Sequence, residues 1–491
     1  MKRETSDESL EDEYFRERHS DIEHVTERIL INLSGNQAIS WEQLPDDLII
    51  VSRDFNPSNF ATMDLKKVRG IALESGGRTS HTAIISRGLR LPAVMGIGDF
   101  LASVATGDSL LLDGDEGQVI VNPTTGRIEG MQRRMESFRA MADSAAAPSG
   151  RKTVTKDGTP ISLRANTELL HELPAAKKFG AEGIGLFRSE FLYFSHPRGF
   201  PDVEEQLAAY GMMAREMSPY PVTIRTLDAG AEKVFNGQDL ANQANPSMGL
   251  RGIRLSLNLR DAFRMQIEAI LRASCDGNVE IVFPMISTVE EIRQARKLID
   301  EVRAELIQGA GMMLNEVPVG AMIEVPAAVL SLEILAGESD FLCVGTNDLI
   351  QYMLAVDRGN PKVAYLFQPL HPSVLSCLWR ISEVARKQDK PVRICGEISS
   401  NPFFAVLLLG MGFTQLSMNP LSIPTIRKVV HEIPIEIAQQ IAAKALTLTT
   451  AQDVHKYLIR SVSELIEWDI ASYANEIAVA DGPIANNPKS V

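Results

Sequence analysis

The sequence is short of cysteine, of positive charge and of long apolar runs, and each shortage closes off a class of protein. Its four cysteines, Cys275, Cys343, Cys377 and Cys395, are too few and too scattered for a disulfide framework or a paired-cysteine metal site, which suits a reducing compartment. Lys and Arg number 49 against 63 Asp and Glu, and the net charge of −14 disfavours the phosphate backbone of nucleic acid as a partner. The longest apolar run, 403–413, is too short to span a bilayer and reads as a core segment. Acidic sequence follows Met1-Lys2-Arg3 directly, so no secretory signal is expected. A cytoplasmic chain without a nucleic-acid or membrane partner is therefore predicted.

What is present is the make-up of a globular protein, 45% apolar and 23% charged over 491 residues, enough for two to four domains at about 150 residues each. Residues 9–33 carry apolar positions at helical spacing among dense charge and read as one amphipathic helix, closing a first segment at 1–33. In 34–125 short apolar runs (48–51, 71–73, 92–95, 109–112, 118–121) alternate with Gly, Asp and Pro, the texture of a small sheet domain with one helix after Gly76-Gly77. A linker helix and a small-residue linker are expected over 126–150, and a disordered tail over 479–491.

Between 151 and 478 a strand-like segment ending in a polar residue recurs before each helix-length segment. The strands are expected at 161–166, 183–188, 222–228, 280–285, 319–325, 341–348, 392–397 and 413–418. Eight such units over this length predict an α/β fold built on a (β/α)8 TIM barrel, whose chemistry belongs at the strand C-termini. Arg188, Arg225, Asp228, Glu324, Asn347, Asp348, Cys395 and Glu397 fall there.

Gly76-Gly77-Arg78-Thr79-Ser80-His81-Thr82 follows a strand and opens a helix. Unpaired N–H groups at a helix start stabilise negative charge, and an imidazole there can take up a phosphoryl group at neutral pH. The residues alone fit a capping or half-buried structural histidine better. Gly180, Gly183 and Gly185 do not form a nucleotide loop, because their order is wrong and the last two lie inside a strand.

The segment 76–96 resembles the phosphohistidine signature of the phosphoenolpyruvate-utilising enzymes. Segments 180–194, 224–233, 245–254, 281–291, 323–328, 345–360, 395–400 and 407–424 resemble, in order, Enzyme I of the bacterial phosphotransferase system. The resemblance implies a swivelling phosphohistidine α/β domain followed by the barrel. It implies that His81 accepts the phosphoryl group of phosphoenolpyruvate, releasing pyruvate, for delivery to an HPr-type phosphocarrier. Arg188, Arg225, Arg358 and Asn347 fall where the family binds substrate, and several fixed cations suit a small molecule carrying phosphate and carboxylate. Glu324 and Asp348 match the magnesium ligands, expected at the ends of adjacent strands; without the resemblance they read equally well as a structural ion-pair set. Cys395 matches the proton donor to the enolate of pyruvate. Cys275, Cys343 and Cys377 are expected to be small buried hydrophobes, and Lys233 is a further phosphate-binding candidate.

By the same resemblance the chain starts near the end of the helical insertion that docks HPr. The helix at 9–33 corresponds to its last element, so most of the docking surface is expected to be absent, in a fragment or in a divergent form with another acceptor. A homodimer through the barrel is implied. Two competing readings are an enzyme like phosphoenolpyruvate synthase or pyruvate phosphate dikinase, whose ATP-grasp domain has no counterpart in the sequence, and a non-catalytic barrel that only binds phosphoenolpyruvate.

Overall fold

The computed structural model describes residues 44–135 and 152–477, apart from 56–62, 65–66, 76–81, 83–85, 87–90, 115–116, 133–134, 195–199, 231–244, 359, 361, 467, 469 and 475–476. The helix expected at 9–33, the small-residue linker, the tail at 479–491, His81 and Lys233 lie outside the described residues. The chain forms two compact units divided between Ile128 and Glu129.

In the first unit the apolar runs pair as a parallel sheet, β1 (Leu48–Ser52), β2 (Val68–Leu73) and β3 (Ala93–Met95), with β2 in the middle. The central strand is the most buried, and Val68, Ile71 and Leu73 pack with Phe55, Met63 and Leu91 into a small core. β4 (Leu110–Asp113) and β5 (Gln118–Val121) form an antiparallel hairpin.

In the second unit eight strands close into a barrel: β6 (Ser162–Thr167), β7 (Ile184–Arg188), β8 (Val222–Arg225), β9 (Val279–Phe283), β10 (Val319–Ile323), β11 (Phe341–Val344), β12 (Val392–Ile394) and β13 (Gln415–Met418). Every pairing is parallel, and β13 closes on β6. Parallel strands covered on both faces need continuous apolar runs, which is what these segments supply. Helices follow the strands and pack their apolar faces on the barrel. The helix Val289–Ala310 starts at a capping pair, Thr288 and Glu291, and the helix Pro402–Gly410, from the longest apolar run, is buried along its whole length.

Three strand ends stop three or more residues short of expectation, that of β12 at Ile394 rather than 397 among them. β8 stops at Arg225 rather than running to 228, and β11 stops at Val344 rather than running to 348. Gly345 ends β11 and the helix Thr346–Leu354 follows at once, so Asn347 and Asp348 sit in its first turn instead of ending a strand. A carboxylate gains there from the unpaired N–H groups of the helix start.

Candidate functional site

The barrel brings five of the expected residues, Arg188, Arg225, Glu324, Asp348 and Cys395, to the C-terminal ends of its strands, and links two of them, Arg225 and Asp348, through Asp228 and Arg251. Arg225, at the end of β8, is held between two acids: its Nη2 donates to Glu190 Oε1 at 2.8 Å and its Nη1 lies 2.8 Å from Asp228 Oδ2. The Asp228 amide donates to the same Glu190 oxygen at 2.9 Å. Asp228 in turn receives Arg251, whose Nη2 is 3.1 Å from each carboxylate oxygen. Arg251 Nη1 donates to Tyr352 Oη at 3.1 Å and stands 3.6 Å from Asp348 Oδ1. Tyr352 Oη itself donates to the Ser247 carbonyl. A relay of charged groups thus runs Glu190, Arg225, Asp228, Arg251, Asp348. Each guanidinium is fixed at two edges, which orients a long side chain before any ligand arrives.

Glu324, one residue past β10, is almost fully buried and accepts the Met285 amide at 2.6 Å. Met285 has φ 58°, a conformation unfavourable for a side chain, next to the site. Gly252, also at φ 58°, lies so close that a Cβ would press on the Met285 side chain, so the loop carrying Arg251 needs glycine there.

Burial, with Asp348 and then Asp228 nearby, pushes the Glu324 carboxyl up to about 8. Burial likewise raises Glu190 against the pull of Arg225. Burial opposes the charges of Arg225 and Arg251 as well, but Glu190 and Asp228 for the first, and Asp228 and Asp348 for the second, more than offset it and raise both. Asp228 is held below the usual carboxylate range, its burial outweighed by Arg225 and Arg251. Two guanidiniums therefore face four buried carboxylates, Glu190, Asp228, Glu324 and Asp348. Fully ionised, that cluster is short of two positive charges.

Arg188, at the end of β7, donates to Glu168 Oε1 at 2.6 Å. Cys395, one residue past β12, is buried, and its Sγ lies 3.5 Å from the Gly185 carbonyl. Its carbonyl accepts Asn166 Nδ2 at 2.9 Å. Arg358 is not brought into the relay among the described residues: it is exposed in the loop after the helix Thr346–Leu354, with its amide 3.4 Å from Gln351 Oε1. Asn347 is half-buried beside Asp348. Cys343 is buried as expected and Cys377 half-buried, but Cys275 is exposed, its thiol donating to the Met313 carbonyl at 3.2 Å. It sits in a short turn after the helix Arg260–Ala273, where the inward positions are filled by Ala273 and Ser274.

Among the described residues no group of three or more His, Cys, Asp or Glu is arranged to hold a metal. A cation beside Glu324 and Asp348 would therefore be completed by water or ligand oxygens, which favours a hard ion. No helix of the described residues is long and apolar enough to cross a membrane.

A parallel barrel with acids and paired guanidiniums at its strand C-termini is the architecture of a barrel enzyme acting on a small anion. Residues 143–435 match the PEP-binding domain of the PEP-utilising enzymes, and residues 44–117 match their mobile domain. The chain belongs to the phosphoenolpyruvate-utilising enzyme family, and within it to the phosphoenolpyruvate-protein phosphotransferases. Relatives of that name include one from Bacillus sp. (strain S), 38% identical over 93% of this chain and 79% of its own length. Another, from Haemophilus influenzae, is 36% identical over 91% of this chain and 78% of its own. A solution structure of Enzyme I is 43% identical over 27% of this chain and 53% of that one, with a TM-score of 0.23.

Proposed function

We propose that the chain transfers the phosphoryl group of phosphoenolpyruvate to its own His81, releasing pyruvate, and passes it to an HPr-type phosphocarrier in the cytoplasm, working as a homodimer through the barrel. The observation that carries the barrel half of this reading is the relay from Glu190 to Asp348, in which Arg225 and Arg251 are pre-set at one strand-end face. Phosphoenolpyruvate carries a phosphate and a carboxylate, and paired arginines match both. Arg188 and Asn347 complete the substrate pocket, and Arg358 adds a cation from its loop.

Glu324 and Asp348 would hold Mg²⁺. The donor set fits: two carboxylates in a cluster short of two positive charges, one of them pushed up to about 8 by burial and by the other, call for a divalent cation with oxygen ligands. When bound, Mg²⁺ supplies charge neutralisation at the substrate oxygens. The chain's own groups do the rest. The arginines hold phosphate and carboxylate, a His81 ring nitrogen forms the new bond to phosphorus, and the bond from phosphorus to the enol oxygen breaks. Cys395 then gives its S–H proton to the methylene carbon of the enolate, yielding pyruvate and a thiolate that water reprotonates.

The test is incubation with phosphate-labelled phosphoenolpyruvate and Mg²⁺, with and without HPr. The expected result is label on the chain, dependent on Mg²⁺ and chased onto HPr. A chain that binds phosphoenolpyruvate but never takes label would overturn the reading.

A further inference from the structure

The proposed chemistry uses Cys395 and leaves its neighbours inside the barrel without a task. Cys343, on β11, has Arg393 as its partner in the pairing with β12, and Cys395 follows Arg393 by two residues, so both side chains share the inner face. Cys343 and Cys395 lie in one buried cluster with Leu186, Val282, Met322 and Phe341. The Arg393 guanidinium stacks 4.3 Å over the Phe341 ring and donates to Glu280 Oε2 at 2.5 Å. Arg164 Nη1 stands 3.5 Å from that same oxygen without a hydrogen bond. The Gly185 carbonyl is the contact of the Cys395 thiol, and Gly185 lies close beside Arg164 of the neighbouring strand, where a Cβ would stand 3.1 Å from Arg164 Cβ.

Here two guanidiniums share one carboxylate. Nε of Arg164 and Nε of Arg393 are buried with no hydrogen-bond partner. Burial, and then Arg393, hold Arg164 down to about 10, whereas Cys343 and Glu280 more than offset burial at Arg393 and raise it. Two guanidiniums on one carboxylate is the reverse of the relay above, which is short of positive charge. A thiolate at Cys395 is the missing counter-charge.

We propose that Arg164, Arg393 and Cys343 are positioning residues that stabilise the thiolate left when the Cys395 proton departs. The inference rests on the reading of Cys395 as proton donor. In that step the Cys395 S–H bond breaks, a C–H bond forms at the methylene carbon, and sulfur keeps the electron pair. The guanidiniums and the Cys343 S–H then face a full negative charge that they were already placed to meet. The groups that act on Cys395 electrostatically are Cys343 from β11, Arg393 from β12, Arg164 from β6 and Arg225 from β8, with Glu280 from β9 between Arg164 and Arg393. β7, β10 and β13 present the neutral Gly185, Met322 and Ser417, with Glu324 beyond the end of β10. Burial alone would raise the Cys395 thiol, but Cys343 in the same buried cluster, Arg393, Arg164 and Arg225 together bring it below the ordinary value. Burial and its bond to Cys395 push Cys343 the other way.

The test is the pH titration of thiolate ultraviolet absorbance in the full chain, with the matching Cys395→Ser background subtracted so that only Cys395 is read. Arg164→Met and Cys343→Ala should each raise the midpoint by about one pH unit, whereas Arg164→Lys and Cys343→Ser, which keep a charge or a donor, should recover most of the shift. The pH profile of pyruvate release should move with the midpoint. An unmoved midpoint in Arg164→Met and Cys343→Ala would overturn the inference, whatever activity does. A moved midpoint with an unmoved pyruvate profile would remove Cys395 as proton donor and overturn the inference through that reading, while an unmoved midpoint overturns the inference itself. Should Arg164→Met fail to fold, the Cys343→Ala and Cys343→Ser pair decides the matter alone.

Discussion

Asp228 is shared by two arginines: its Oδ2 is 2.8 Å from Arg225 Nη1 and its Oδ1 is 3.1 Å from Arg251 Nη2. One carboxylate therefore sets the spacing of two cations drawn from different segments, the end of β8 and the loop that ends at Gly252. Asp228→Asn should keep the barrel folded and weaken phosphoenolpyruvate binding by about tenfold or more, because bonds to charged partners are worth about 1.5–3 kcal/mol. Calorimetric titration with phosphoenolpyruvate checks this, and unchanged affinity would show that the arginines are held without Asp228.

Glu324 should separate stability from activity. Its carboxyl is pushed up to about 8 in the fold against an ordinary value of 4.5, so between those pH values the unfolded chain ionises it and the folded chain resists. The resulting loss of stability begins near 4.5, grows as pH rises and is complete above about 8. Glu324→Gln should lack that loss: in metal-free buffer its melting temperature at neutral pH should equal or exceed that of the parent chain, while Mg²⁺-dependent pyruvate release disappears. Retained Mg²⁺-dependent turnover in Glu324→Gln or in Asp348→Asn would remove that residue from the metal site.

Glu280 has the opposite sign. Burial alone would raise it, but Arg393, by charge and by hydrogen bond, and Arg164 hold it below its ordinary value. Its contribution to stability is present above about 4.5 and is lost as pH falls through the lower folded value. Glu280→Gln should lower the melting temperature at pH 7 and flatten the acid limb of the stability curve, and thermal melts across pH would show it. A parallel shift of the whole curve would mean that the carboxylate does not titrate in this way.

The eight barrel strands were legible because strands buried on both faces read as apolar runs that end in polar residues, and each observed strand begins and ends within about two residues of an expected segment, apart from the overlong ends at 228, 348 and 397. Those ends failed for one reason: each expected segment was closed at a polar residue, Asp228, Asp348 or Glu397, that lies beyond the last residue of the ladder, so composition does not mark where the ladder stops. Arg251 was in view in the 245–254 segment but had no pattern to single it out. It sits in an isolated bridge with Gly230, outside any strand or helix, and only the fold brings it to Asp228. Cys343 is the buried residue the sequence led one to expect, but nothing in a sequence announces its pairing with Arg393 on the adjacent strand.

Cys395→Ser should divide binding from turnover. A hydroxyl is a far weaker acid than a thiol, so phosphoenolpyruvate affinity should stay within a few-fold of the parent chain while pyruvate release slows by orders of magnitude. Loss of affinity in step with rate would make Cys395 a structural residue of the barrel.

The most direct measurement is the position of the label after a brief incubation with phosphate-labelled phosphoenolpyruvate and Mg²⁺, mapped by peptide mass spectrometry under alkaline conditions that preserve phosphohistidine. The account predicts acid-labile, base-stable phosphate on the peptide carrying His81, and no label on His81→Ala although that variant still binds phosphoenolpyruvate. Acid-stable label, or label that persists in His81→Ala, would contradict it.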